Sequence, residues 1–324
     1  MIKNPILENY WNEKVSRLAT LTPKPISDAL KERHRLYSLG LMAITHHYWN
    51  GLKKGRDGEY PWNPNPATAG GAYLRDDYRG HNIAAYAVDR RGFIIDFEFN
   101  HNKLLNSSAE HAEARLVRRI YGLTQISDSW DVNSPTQPPA DDYNTFEEVT
   151  LYTTLESCSQ CSGIMALARL REVVFLQTDP GMYMIGNILR NLTENTGLEA
   201  PRPVPASSFG FPYFTKLDDA YEVFTTQVAT HPFYTSPAGK TDTSPSITSF
   251  LCTNLAYQIY GDAARALADL ESGKNKLLFP DAKPVDRAGN EVTNGLTNAE
   301  TLREVAHFRN YAAQKGRRAT PHAF

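Results

Sequence analysis

Apolar and polar positions alternate legibly in the first half of the chain and less so in the second. Residues 28–49 place Leu30, Leu36, Leu39 and Met42 near helical spacing, which predicts an amphipathic helix. Residues 50–81 are rich in Gly, Pro, Asn and Asp and predict a long loop. Two apolar runs, 83–89 and 93–99, flank a turn at Arg90–Gly92 and predict a strand hairpin. Ser107 and Glu110 have the S-x-x-E form of a capping box, so a helix is expected from about Ser108. Residues 123–147 are polar, carry Pro135, Pro138 and Pro139, and predict an insertion loop. A strand at 148–153, a helix from Cys158 to about Leu170 and a buried strand at 173–177 follow. Strand–helix–strand crossovers require parallel pairs in a sheet covered by helices, so the expected class is α/β with a mixed sheet.

Beyond residue 180 the pattern predicts helices at 182–194, 216–229, 247–271 and 299–314. Pro-, Ser- and Gly-rich loops at 199–213, 231–246 and 273–297 separate them. Thr297 and Glu300 form a second helix-start signal. This half is expected to finish the sheet and add a helical cover.

Composition narrows the class. The chain has 324 residues, 41% hydrophobic and 22% charged, which excludes a disordered, collagen-like or coiled-coil protein. A formal net charge of -2 gives no support to a strongly basic nucleic-acid binder. Three cysteines make no disulfide framework. The N-terminus lacks an apolar signal region, and the best apolar stretch, Gly163–Leu176, is interrupted by Arg169, Arg171 and Glu172. A soluble, cytoplasmic protein without a membrane segment is expected. In a reducing compartment a close cysteine pair points to metal binding or catalysis rather than to a disulfide.

Four residues suggest the chemistry. His111 and Glu113 fall at the start of one predicted helix, Cys158 and Cys161 at the start of another. One imidazole and two thiolates leave a fourth tetrahedral position open, which is the arrangement of catalytic zinc. Cysteines three apart share one side of a turn, and the N–H groups at a helix start favour the thiolate form. Residues two apart do not share a helix face, but an ion beyond the helix end can be approached from two sides. His111 can therefore ligate while Glu113 reaches the water.

The pattern H-x-E … P-C-x-x-C is the signature of zinc-dependent base deaminases, and the chain matches it except that Ser157 replaces the proline. Either residue can start a helix: Ser157 as an N-cap in a capping box with Gln160, proline by its fixed backbone angle. Residues 83–177 resemble the cytidine deaminase-like superfamily. The stretch LYTTLESCSQCSGIMAL is most similar to the branch of tRNA adenosine, guanine and fungal-type cytosine deaminases.

That resemblance implies a three-layer α-β-α fold with a mixed central sheet and a mainly helical C-terminal extension. We expect a core at 1–195 with insertions at 50–81 and 123–147. Residues 196–324 would supply the remainder of the core and the extension. One catalytic Zn2+ per chain, held by His111, Cys158 and Cys161, is implied, with Glu113 as the proton shuttle. Asn100 stands where the family often carries a substrate-binding asparagine, and His101 beside it is a second candidate. A homodimer acting on a small amino-heterocycle is expected. The alternatives are an editing deaminase on RNA or single-stranded DNA, and a non-catalytic binding scaffold. Cys252 reads as a core cysteine, and His46, His47 and His81 as surface or core partners. The basic stretch Lys315–Arg318 reads as a solvated tail, and the aromatics of the 48–78 region as loop packing.

Overall fold

The computed structural model describes residues 12–49, 80–102, 104–126, 146–197, 199–230 and 246–315, with Glu8, Tyr10 and the strand pairs 234–235 and 241–242. Most of the two predicted insertion loops, with Tyr60, Trp62, Tyr73 and Tyr78, and the tail beyond 315 lie outside the described residues.

The helices are α1 (Val15–Leu18), α2 (Asp28–His47), α3 (Ala112–Ile126), α4 (Ser159–Leu167), α5 (Ile185–Thr193), α6 (Pro212–Thr230), α7 (Ile247–Phe250), α8 (Asn254–Glu271) and α9 (Asn298–Lys315). The main strands are β1 (Ala84–Val88), β2 (Ile94–Phe99), β3 (Thr150–Thr153), β4 (Glu172–Phe175) and β5 (Arg202–Pro205), in the sheet order β2-β1-β3-β4-β5. β1 runs antiparallel to both β2 and β3, while β3, β4 and β5 are parallel. The sheet is mixed, as expected. A separate pair, β6 (Tyr234–Thr235) and β7 (Thr241–Asp242), lies in a stretch read from sequence as loop.

β5 is a correction, because its sequence RPVP lies in a stretch read as loop. Proline removes a ladder donor and is tolerated at a sheet edge, which is where β5 sits. The helix expected at 247–271 is broken at Leu251–Thr253, where the Thr253 side chain accepts from Ala256 N and starts α8. α3 begins at Ala112 rather than Ser108, because the Ser107 hydroxyl caps a local turn and Glu110 turns to Arg115 and Arg118. The start signal at 297 holds: Thr297 N donates to Glu300 Oε2 at 2.8 Å, and Glu300 N to Thr297 Oγ1 at 3.2 Å.

Helices cover both faces of the sheet. α3, α4 and α5 lie on one side; α2 lies on the other, backed by α8 and α9. Side chains alternate accordingly. Tyr86 and Tyr152 face α2, where the Tyr86 hydroxyl donates to Tyr37 O and Tyr152 meets His34 Nδ1 at 2.8 Å. Gly40 lets α9 approach α2, since a Cβ there would lie 2.5 Å from Val305 Cγ1. The interior-helix cost of glycine, about 1 kcal/mol, is offset by that contact.

On the α3 side of β2 lie two buried carboxylates. Arg119 Nε is 2.5 Å from Asp96 Oδ2, and Arg115 Nε is 3.3 Å from Glu98 Oε2. Burial outweighs the guanidinium groups and pushes Asp96 up to about 6 and Glu98 up to about 7. The folded state thus holds the Glu98 proton more tightly than the unfolded chain. Ionising it costs stability, beginning above the ordinary value of 4.5 and complete above about 7. Glu98→Gln mimics the neutral acid, so it should gain on wild type as pH rises, by about 3 kcal/mol at pH 7.5. Denaturant midpoints of both proteins at pH 4.5 and 7.5 check this. A pH-independent difference would mean that the arginines keep Glu98 ionised throughout.

Candidate active site

The candidate residues gather at one end of the sheet. His111 stands immediately before α3, with its carbonyl accepting from Arg115 N at 3.0 Å. Cys158 is the N-cap of α4, and its carbonyl accepts from Ser162 N at 2.8 Å. Cys161, in the first turn of α4, is buried. Two helix N-termini therefore meet, and their unpaired N–H groups favour negative charge between them.

His111 Nδ1 is 3.3 Å from Cys158 Sγ and 3.6 Å from Cys161 Sγ, and the three donor atoms lie within 4.8 Å of one another. Donors at ordinary zinc–sulfur and zinc–nitrogen distances on a tetrahedron would stand roughly 3.5–3.8 Å apart. The set fits zinc in both spacing and chemistry. The two thiols are unequal. A hydrogen bond from Cys161, with help from His111, brings Cys158 down to about 4, while the same bond and burial push Cys161 up. His111 is raised by its hydrogen bond to Cys158.

Glu113 sits in the first turn of α3 and is buried. Its Oε1 accepts from Thr153 Oγ1 at 3.1 Å and from Ser157 Oγ at 3.3 Å. Its Oε2 faces Cys161 Sγ at 3.5 Å. Burial raises the carboxyl above its ordinary value. The Ser157 reading is corrected here: Cys158 occupies the N-cap, and the Ser157 hydroxyl turns to Glu113. Gln160, its expected capping partner, donates to Ala109 O at 2.9 Å instead and ties α4 to the approach of α3.

A cavity of about 130 Å³ opens beside this group. Asn100, His111, Glu113 and Cys158 line it together with His81, Ile83, Leu155, Glu156, Asp179, Met182 and Thr248. Asn100 is held by its Oδ1, which accepts from His81 N at 3.3 Å and Asn102 N at 3.1 Å. Gly80 permits this packing, since a Cβ there would collide with the Asn100 carbonyl. His101 is buried, its N–H donates to Glu110 O, and it is not among the lining residues; His81, read as a packing residue, takes that place. Glu156 is the other feature missed by the sequence reading. Its Oε2 accepts from Asp179 N at 3.1 Å, and burial pushes its carboxyl up to about 7. Cys252 is a core cysteine outside the donor set, as expected. Among the described residues, no helix is long and apolar enough to cross a membrane.

Residues 67–177 match the family profile of the cytidine and deoxycytidylate deaminase zinc-binding region, about a third of the chain. This segment belongs to the cytidine deaminase-like superfamily. Among solved structures, the chain is similar to one from a study of A-to-I editing by tRNA:A34 deaminases. Identity is 22% over 38% of this chain and 82% of that one, with a TM-score of 0.29. It is also similar to guanine deaminase from Bacillus subtilis, at 23% identity over 30% of this chain and 50% of that one, with a TM-score of 0.24. The guanine deaminase from Nitrosomonas europaea gives 18% identity over 41% and 71% of the two chains, with a TM-score of 0.29. No curated protein matches the chain in sequence.

The donor set predicts one zinc ion per chain by elemental analysis of protein purified without chelator. Cys161→Ala should lower the content at least tenfold. Cys252→Ala, outside the set, should leave it unchanged.

Proposed function

We propose that the protein is a zinc-dependent hydrolytic deaminase. It would convert the exocyclic amine of a nucleobase, nucleoside or related amino-heterocycle to a carbonyl and release ammonia. The observation that carries this reading is the buried Glu113 carboxylate beside an open-sided His-Cys-Cys set, with Oε2 at 3.5 Å from Cys161 Sγ. Structural zinc would call for a fourth protein ligand and would have no use for a buried carboxylate at its edge.

Zinc held by His111, Cys158 and Cys161 would lower the pKa of a water toward about 7 and so supply hydroxide at neutral pH. The rest falls to the chain. The hydroxyls of Thr153 and Ser157 hold Glu113 Oε1, which leaves Oε2 as the oxygen turned toward the donor set. Oε2 accepts the proton of the attacking water and passes it to a ring nitrogen. It then takes the remaining proton from the hydroxyl now on the amine-bearing carbon and delivers it to the amine, so that the carbon–nitrogen bond breaks, ammonia leaves and the carbonyl forms. The two hydroxyls fix the carboxylate in the position from which both proton transfers are made. Asn100 lines the cavity with its Oδ1 fixed by two backbone N–H groups, and a side chain held in this way would orient the heterocycle.

Glu113→Gln should retain zinc and lose roughly 10²–10⁴-fold in kcat, the span of a general acid–base residue. Ammonia release across cytosine, adenine, guanine, their nucleosides, pterins and short oligonucleotides identifies the substrate on which to measure it. Near-normal turnover by this variant would overturn the assignment.

A further inference from the structure

Among the described residues, those lining the cavity all lie between His81 and Met182, with one exception. Thr248 belongs to α7, in the half of the chain whose sequence carries no part of the zinc motif. α7 is firmly anchored. Asn82, next to the wall residue Ile83 and buried, donates from Nδ2 to Leu251 O at 3.0 Å. Phe250 packs against Tyr221 and Phe224 of α6, each at 5.6 Å between ring centres. Ser246 caps α7 through its side chain, and Thr248 Oγ1 lies 3.1 Å from Ser246 Oγ. The Cys252 thiol donates to Thr248 O at 3.5 Å. A β-branched side chain on so constrained a backbone has little rotamer freedom with which to move aside.

The cavity it helps to close is about 130 Å³, less than half of the roughly 300 Å³ at the small end of pockets for drug-sized ligands. We infer that Thr248 is a specificity residue of the reaction proposed above, closing the site around a free heterocyclic base and excluding the same base carrying a ribose. The inference rests on that reading for its choice of ligand. Its mechanism is steric: a wall supplied by the C-terminal half, fixed to the zinc core through Asn82 and Leu251.

The test uses the full zinc-loaded chain and two readouts. The first is kcat/KM for the best free base and for its ribonucleoside. Wild type should prefer the base at least tenfold. Thr248→Ala should raise the nucleoside-to-base ratio about tenfold, the scale on which a pocket senses one or two heavy atoms, with zinc content unchanged. The second is calorimetric binding of the same pair to Glu113→Gln, which needs no turnover. There the base should bind and the nucleoside should not, and adding Thr248→Ala should admit the nucleoside. Thr248→Leu, which narrows the cavity, should weaken base binding at least tenfold and serves if the alanine variant does not fold. Discrimination in binding without ammonia from any substrate would overturn the deaminase reading and leave the steric inference standing. A wild type that handles base and nucleoside alike, a ratio unmoved by either variant, or no binding of any base would overturn the inference itself.

Discussion

The site depends on two helix N-termini facing each other at one end of the sheet. β3 and β4 are parallel, so the chain between them must cross over through α4, whose N-terminus emerges beyond the end of β3. β1 is antiparallel to both β2 and β3, so β2 and β3 run in the same direction. The turn after β2 therefore delivers the start of α3 to the same end of the sheet. His111 and Cys158 meet because of strand direction, although 46 residues separate them in sequence. A change of register within β1–β3 would exchange the faces of Thr153 and Tyr152 and take the Thr153 hydroxyl from Glu113.

That convergence places a carboxylate and two thiols in a small, mostly buried volume. The two thiols differ, with Cys158 brought down to about 4 by the hydrogen bond from Cys161, and Cys161 pushed up by that bond and by burial. A cation is what allows both sulfurs to be thiolates, which couples metal uptake to proton release. Glu113 is treated differently. Two hydroxyls hold one of its oxygens, and one of them, on Ser157, is a donor that proline at this position could not provide. The departure from the usual motif thus adds a contact to the carboxylate rather than removing a helix start.

Local signals were legible and tertiary ones were not. The hairpin of β1 and β2, the helix α2 and the two half-motifs each follow from periodicity or spacing within a few residues. β5 was hidden because RPVP carries two prolines, and only its edge position makes them tolerable. The break before α8 was hidden because Thr253 sits in the apolar run ITSFLCTNLAY, where a cap looks like part of the helix. His81, Glu156, Asp179 and Thr248 join the cavity from four separate segments, and nothing in the spacing of any one of them predicts that meeting. Glu156 was the nearest to being found, since it lies two residues before Cys158.

The C-terminal half is built into this arrangement through α2. Glu32 accepts from Leu278 N and Phe279 N, and Arg33 donates to Thr301 Oγ1 and to the carbonyls of Ala282 and Leu296. Further along the same helix, Gly40 admits Val305 of α9, and His46 stacks on Tyr257 of α8 at 4.3 Å. α2 in turn packs on β1 and on β3, the strand that leads to α4 and Cys158. Its residues from Leu36 to Ile44 are buried throughout, and a helix apolar all round needs cover on every side. The sheet covers one side and α8 with α9 the other. The extension therefore completes the core that holds the strands in place, and α7, just before α8 in the chain, comes to rest where Thr248 meets the cavity.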